Sequence, residues 1–156
     1  MIRIEIPGRE RELILENLVL DYNGTIAADG RLIEEDKELI RSLAEKLHVY
    51  VLTADTYGTV EKECGGLGIT VKTFPKEGAG SFKEKIVKEL SGHVCAVGNG
   101  FNDVAMCRDA ELSIAVLDKE GLCPELLKYA DILVRSSREA LELLLNTDRI
   151  RATLRS

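Results

Sequence analysis

Short apolar runs alternate along the chain with segments of helical periodicity, and this alternation predicts the fold. Six runs are apolar over most of their length, which is typical of strands buried on both faces; they cover residues 17–22, 48–53, 69–74, 94–99, 112–117 and 131–135. Helical spacing predicts helices over 34–47, 57–64, 81–90 with Ser81 as the N-cap, from 102 onward, and 137–145. Strands that alternate with helices indicate an α/β fold with a mostly parallel sheet.

The two ends of the chain have different patterns. Residues 2–6 alternate apolar and polar side chains, and the turn signal Pro7-Gly8 follows them. We therefore predict a β-hairpin over residues 2–16, either a simple edge hairpin or an element that covers a site in a neighbouring subunit. The pattern of residues 146–156 leaves open whether this tail docks on the fold or moves freely, and we expect its arginines to be solvated.

Composition narrows the class of protein. A chain of 156 residues suits one domain over residues 1–156. The net charge of −6 and the absence of Trp argue against a nucleic-acid partner. No apolar run approaches the roughly 18 residues that a membrane span requires, and the N-terminus lacks the features of a signal peptide. We therefore expect a cytoplasmic protein with no membrane partner.

Neither the cysteines nor the histidines form a motif. The four cysteines are widely spaced without a Cys-x-x-Cys pair or a Cys/His cluster, so we expect buried free thiols. His48 and His93 each begin an apolar run and lie far apart in the sequence, which makes either a weak candidate for a catalytic base.

Polar residues at strand ends are the candidates for chemistry, because ligands of parallel sheets bind beyond the carboxyl ends of the strands. Asp21 ends the first central strand, where a carboxylate could attack phosphorus. Gly24 then allows a turn whose N–H groups could hold anionic oxygens. The same residues would also suit an Asp that caps an ordinary Asn-Gly turn.

Three further segments could complete such a site. Thr53 could donate to a phosphoryl oxygen or cap the helix that follows it. Lys83 could supply the cation that a negatively charged phosphoryl group needs. We expect Lys85 and Lys88 to be solvated surface charges. The polar turn over residues 98–103 offers oxygens that could coordinate Mg²⁺.

Taken together, these segments resemble the haloacid dehalogenase superfamily, and most closely its small P-type-ATPase-like members. The nucleophile motif Asp-x-Asp-Gly-Thr is matched by Asp21-Tyr22-Asn23-Gly24-Thr25. The strand-end Thr is matched by Thr53, and the lysine by Lys83. The motif Gly-Asp-Gly-x-x-Asn-Asp is matched by Gly98-Asn99-Gly100-Phe101-Asn102-Asp103. All four motifs occur in order between residue 18 and about residue 145.

The resemblance implies a three-layer Rossmann-like fold and a Mg²⁺-dependent phosphatase or phosphotransferase that forms an aspartyl phosphate. It implies catalytic roles for Asp21 as the nucleophile and for Thr53 and Lys83. The implied phosphate-binding residues are Asn23, Gly24, Thr25, Thr53, Ala54 and Lys83. The implied Mg²⁺ ligands are Asp21, the backbone carbonyl of Asn23, Asn99 and Asp103.

Two departures from the family pattern change these expectations. Asn23 replaces the family's general acid/base, and an amide cannot exchange a proton usefully near pH 7. Asn99 replaces a metal-binding carboxylate, which predicts weaker Mg²⁺ binding. A catalytically impaired module that binds a phosphate-bearing ligand or partner is therefore the alternative function. A receiver-like phosphoacceptor domain fits less well, because the acidic pair expected after its first strand is missing.

The short intervals between the motifs also predict a capless fold. Neither the interval from Asp21 to Thr53 nor that from Thr53 to Lys83 can hold a large cap domain. An open site would suit a phosphorylated substrate that is macromolecular, or a cap lent by another subunit of a homo-oligomer.

Overall fold

A computed structural model describes residues 1–55 and 58–156. Its strands are β1 (Ile2–Ile4), β2 (Leu13–Leu15), β3 (Asn17–Asp21), β4 (Ala27–Ala28), β5 (Arg31–Leu32), β6 (His48–Thr53), β7 (Thr70–Thr73), β8 (Val94–Gly98), β9 (Leu112–Val116) and β10 (Ile132–Val134). Its α-helices are α1 (Lys37–Ala44), α2 (Thr59–Glu63), α3 (Ala79–Glu89), α4 (Val104–Asp109), α5 (Ser137–Leu145) and α6 (Thr147–Leu154). Short 3₁₀ helices cover Glu34–Asp36, Phe101–Asp103 and Pro124–Lys128.

A six-stranded parallel sheet forms the centre of the fold. Its strands lie in the order β10-β9-β8-β3-β6-β7, and each neighbouring pair is parallel. The chain leaves β3 toward β6 and β7 and then returns to form β8 on the other side of β3. The order of strands therefore reverses between β3 and β8, and this is the position where α/β sheets bind ligands.

Helices cover both faces of this sheet and make three layers. In β3, Leu18 and Leu20 pack into the core beneath α1, α2 and α5, whereas Val19 packs into the core on the side of α3 and α4. The strand is buried on both faces, as its continuous apolar sequence predicts. The predicted α/β, three-layer Rossmann-like fold is confirmed.

The predicted N-terminal hairpin is also present, but it is not an edge of the central sheet. β1 and β2 form a separate antiparallel pair, in which Ile2 faces Leu15 and Ile4 faces Leu13. These side chains pack in the same core as Leu18 and Leu20 of β3. Because β2 leads directly into the first residue of β3, the hairpin lies at the amino edge of the sheet, opposite the end of β3 that carries Asp21.

The C-terminal tail docks on the fold, which settles the question that the sequence left open. Its residues form α6, which packs against α5 and β1. Ile150 is fully buried in the core there, and Leu154 is partly buried against it.

Several predicted boundaries differ from the structure. The helix predicted over 34–47 is a 3₁₀ turn followed by α1, which ends at Ala44. Ser81 is not an N-cap: α3 begins two residues earlier, because Gly78 adopts a left-handed backbone (φ +74°) and accepts the first helical hydrogen bond from Phe82 N. The prediction for 57–64 is met by α2 from residue 59, and residue 57 lies outside the described residues.

Among the helices of the described residues, none combines the length and the apolar character needed to cross a bilayer.

All four cysteines are free, with Cys64, Cys95 and Cys107 buried and Cys123 half-buried. Burial raises the pKa of the Cys64 thiol to about 11, which keeps this thiol protonated and unreactive.

Candidate active site

A cavity of about 270 Å³ opens at the carboxyl edge of the sheet, where the strand order reverses. It is lined by Asp21, Asn23, Thr53, Ala54, Phe74, Lys83, Asn99, Gly100, Asn102 and Glu120. The sequence motifs therefore converge on one cavity. His48 begins β6, and His93 precedes β8, so both histidines lie at the opposite edge of the sheet.

Asp21 ends β3 at the base of this cavity and is 7% exposed. The hydroxyl of Thr25 lies 3.0 Å from Asp21 Oδ2 and 3.2 Å from Asn99 Oδ1. Thr25 is buried, so it orients the carboxylate from behind. The N–H groups of Gly24 and Thr25 donate to Ala27 O and Tyr22 O within the turn, so they would hold phosphate only if those bonds were released.

Lys83 projects from α3 into the same cavity. Ala79, Lys83 and Val87 share one face of the helix at four-residue spacing, and all three are buried. Lys83 Nζ lies 2.5 Å from Asp21 Oδ1 and 2.6 Å from Asp103 Oδ1. The ammonium therefore bridges two buried carboxylates, whereas the side chains of Lys85 and Lys88 are exposed, as predicted.

The pKa values of Asp21 and Lys83 follow from their burial and from the closeness of the Asp21 and Asp103 carboxylates to the ammonium. Burial and the neighbouring Asp103 carboxylate raise the pKa of Asp21 to about 7, although Lys83 opposes this shift. For Lys83, burial alone would lower the pKa, but Asp21 and Asp103 outweigh it and raise the pKa above its usual value. The lysine thus stays charged while Asp21 gains and loses its proton near neutral pH.

Asp103 is fully buried and ties the polar turn after β8 to Lys83. Its Oδ2 accepts hydrogen bonds from the backbone N–H groups of Asn99 and Gly100, each at 2.9 Å. Gly98 is required here, because a Cβ on it would lie 2.5 Å from Asp103 Cγ. Both oxygens of Asp103 are therefore already engaged.

Thr53 ends β6 beside Asp21 and is 2% exposed. Its hydroxyl oxygen accepts from the N–H of Asp55 at 3.1 Å, which leaves the hydroxyl hydrogen able to donate into the cavity. The alternative role as a helix cap is not realised, because Gly58 is the N-cap of α2.

The donors suited to a divalent ion are mixed in type. Within residues 1–55 and 58–156, no three His, Cys, Asp or Glu side chains are grouped to hold a metal. The cavity does offer the Asp21 carboxylate, the Asn99 amide oxygen and the position of Asn23. Such hard oxygen donors fit Mg²⁺, which binds through few protein ligands and completes its shell with waters and phosphate.

Glu120 is the cavity residue that sequence reasoning missed. It lies on the loop after β9, in the turn closed by the hydrogen bond from Gly121 N to Asp118 O (2.8 Å). Of the described residues that line the cavity, only Asp21 and Glu120 carry carboxylates. The strand-end rule applied to β9, as it was to β3, β6 and β8, would have directed attention to this loop.

We expect Gly24→Ala to have two effects. It should destabilise the protein through the left-handed backbone at this position, and it should also displace the site residues that pack against Gly24. Gly24 has φ +78°, and a Cβ there would lie 2.6 Å from Asn99 Nδ2 and 2.7 Å from Glu120 Oε2. The left-handed backbone alone costs about 1–2 kcal/mol. Gly30→Ala is the matched control, because Gly30 also has φ +78° but has open space around it.

Chemical denaturation and ligand binding would measure the two parts of this effect. We expect both variants to lose stability, and Gly24→Ala alone to lose affinity for inorganic phosphate. Equal losses in both variants would contradict the close packing of Asn99 and Glu120 around Gly24.

Comparisons with known proteins agree with this fold. The chain is 24% identical over 140 residues to a soluble P-type ATPase-like phosphatase of Methanocaldococcus jannaschii, covering 87% of this chain and about half (51%) of that protein. The fold matches a 3-deoxy-D-manno-octulosonate 8-phosphate phosphatase of Moraxella catarrhalis, solved with magnesium, phosphate and KDO (TM-score 0.71, 18% identity, 90% and 94% of the two chains). A cobalt-bound deoxy-D-mannose-octulosonate 8-phosphate phosphatase from Haemophilus influenzae matches similarly (TM-score 0.71, 15% identity, 91% and 94%).

The family model for haloacid dehalogenase-like hydrolases matches residues 3–111, well over half of the chain. This span contains β3, β6 and α3, which carry Asp21, Thr53 and Lys83, and β8, which Asn99 directly follows. The predicted resemblance is confirmed, and the chain belongs to the haloacid dehalogenase-like hydrolases.

Proposed function

We propose that this protein is a Mg²⁺-dependent phosphohydrolase or phosphotransferase that acts through an aspartyl phosphate on Asp21. The observation that carries the proposal is the buried contact of Lys83 with both Asp21 and Asp103 at the base of the cavity of about 270 Å³. A buried ammonium beside a carboxylate suits the transfer of a negatively charged phosphoryl group.

Each side chain has a distinct part in the proposed reaction. Asp21 Oδ attacks phosphorus and the bond to the leaving oxygen breaks, so the phosphoryl group passes to the carboxylate. Lys83 neutralises charge on the phosphoryl oxygens, and the Thr53 hydroxyl donates to one of them. The N–H of Ala54, which also lines the cavity, is a further candidate donor.

Magnesium would be held by Asp21, the Asn99 amide oxygen and the backbone carbonyl of Asn23. Bound there, it would supply positive charge to the phosphoryl oxygens. Asp103 remains a candidate ligand only if one of its present hydrogen bonds breaks, so we assign it instead to holding Lys83. With one carboxylate in this set, we expect weak Mg²⁺ binding.

The substrate class is a phosphate ester or anhydride. The solved relatives with this fold are named for a sugar-acid 8-phosphate, but their identity to this chain is below 20%. Residues 22–47, all within the described chain, add only the short β4–β5 hairpin, the 3₁₀ turn Glu34–Asp36 and α1 between β3 and β6. The cavity thus stays open on that side, which suits a macromolecular phosphoester as well as a small one.

Phosphate release tests the proposal. Incubation with acetyl phosphate and with p-nitrophenyl phosphate, over a Mg²⁺ titration, is expected to give turnover that requires the metal and that Asp21→Asn abolishes. Absence of release from both compounds at millimolar Mg²⁺ would contradict it.

The alternative is a module that binds a phosphate-bearing ligand without turnover. The exposed Asn23 favours it, because its amide cannot protonate a leaving group. Metal-dependent binding of phosphate in a protein that releases none from acetyl phosphate would support the alternative.

A further inference from the structure

We propose that Glu120 is the general acid and base of this site, in place of the amide at Asn23. The inference rests on the proposed function and deepens it. Displacing an alkoxide from phosphorus requires a proton for the leaving oxygen, and hydrolysis of the phosphoenzyme requires a group that accepts a proton from water. Of the described residues lining the cavity, Glu120 alone carries a carboxylate besides the nucleophile.

The position of Glu120 suits both proton transfers. Its Oε2 lies 2.7 Å from the point where a Cβ on Gly24 would stand, so it faces the turn that follows Asp21. The residue is exposed, which lets its carboxyl group exchange protons with bulk water between the two steps. Glu120 also lines a second, larger cavity of about 370 Å³, so its side chain lies where the two cavities adjoin. A leaving group that extends into the larger cavity would therefore pass beside this carboxyl group.

The loop that carries Glu120 is fastened to the site through Asn99. The Asn99 side-chain Nδ2 donates to Gly121 O at 3.1 Å, and the Asn99 carbonyl accepts from Cys123 N at 2.8 Å. An ionised Asp at position 99 could not make the first of these bonds and would place a second negative charge close to Glu120. The amide at position 99 thus fits a site whose second carboxylate comes from the loop after β9.

The proposed reaction has two steps, and Glu120 transfers one proton in each. In the first, Asp21 Oδ bonds to phosphorus while the Glu120 carboxyl group gives its proton to the departing ester oxygen. In the second, water bonds to phosphorus, the Asp21–phosphate bond breaks, and the Glu120 carboxylate takes the proton that the water loses. Inorganic phosphate leaves, and both residues return to their starting states.

A pair of substrates of nearly the same shape separates proton donation from a structural role. p-Nitrophenolate leaves without help, whereas the phenolate of phenyl phosphate is a poorer leaving group and requires a proton. We expect Glu120→Gln to leave the first-turnover burst of p-nitrophenolate within about twofold of wild type. We expect first-turnover release of phenol to fall about tenfold or more, toward the range usual for a lost general acid. The phosphoenzyme should also persist longer in this variant.

Glu35→Gln is the matched control, because Glu35 is exposed and lines only the larger of the two cavities. We expect this variant to behave as wild type with both substrates. Equal effects of Glu120→Gln on the two substrates, no effect on either, or a shift confined to the Mg²⁺ requirement would each overturn the role of Glu120. A wild-type protein that forms no phosphoenzyme would instead overturn the proposed function, and the role of Glu120 with it.

Discussion

Replacing Lys83 by methionine is expected to lower the rate of phosphoryl transfer by about 10²–10³-fold, the usual loss when one preorganised charge-stabilising group is removed. Methionine keeps an unbranched apolar stem of about the same length but removes the ammonium that contacts Asp21 and Asp103. First-turnover release of p-nitrophenolate at saturating Mg²⁺ measures the effect.

The same substitution is expected to destabilise the fold, because it leaves two buried carboxylates without their counter-charge. Loss of one partner from a buried ion pair typically costs about 3–5 kcal/mol. The loss should be smaller in acid, where Asp21, whose pKa is already raised to about 7, can take up a proton. Lys85→Met is the control, since Lys85 lies on the same helix with its side chain 71% exposed. Similar behaviour of the two variants in urea denaturation at pH 8 would contradict the ion-pair geometry.

Asp21→Asn is expected to remove turnover. It is also expected to gain stability relative to wild type, by an amount that increases as the pH rises. The pKa of Asp21 is about 7 in the folded protein, against 3.8 as the ordinary value. Between these values the folded wild type binds more protons than the unfolded chain, so its stability falls as the pH increases. The variant lacks this dependence, and the difference grows by at most about 1.4 kcal/mol per pH unit across the window.

Unfolding of both proteins in urea at pH 5 and at pH 8, without added Mg²⁺, measures this difference. Asp29→Asn is the control, because Asp29 is exposed and asparagine tolerates its left-handed backbone (φ +52°). The control should follow wild type at both values. A constant gap between Asp21→Asn and wild type would show that the carboxyl group does not titrate in this window.

The fold was predictable because burial on both faces leaves continuous apolar runs that few other structures produce. Leu18, Val19 and Leu20 show this, since neighbouring residues of β3 enter opposite cores. The small β4–β5 hairpin and α6 were not predictable, because a two-residue strand has no period and α6 buries few side chains.

The candidate site was predictable where a residue sits at a strand end, and less so where contacts decide its role. Asp21 and Thr53 follow from their strands. That the N–H groups of Gly24 and Thr25 are used inside their own turn depends on the path of the chain to Ala27, which no motif encodes. Glu120 is brought in by a loop tied to Asn99, a contact between segments far apart in sequence.

The central claim is that the Asp21 carboxylate accepts a phosphoryl group. Its most direct test is to quench the protein in acid after incubation with acetyl phosphate and Mg²⁺, digest it, and locate the added phosphate by mass spectrometry. We predict one acid-stable, hydroxylamine-sensitive phosphate on the peptide that contains Asp21, and none in Asp21→Asn. An unlabelled Asp21 in a protein that still hydrolyses acetyl phosphate, or the same label in Asp21→Asn, would contradict the account.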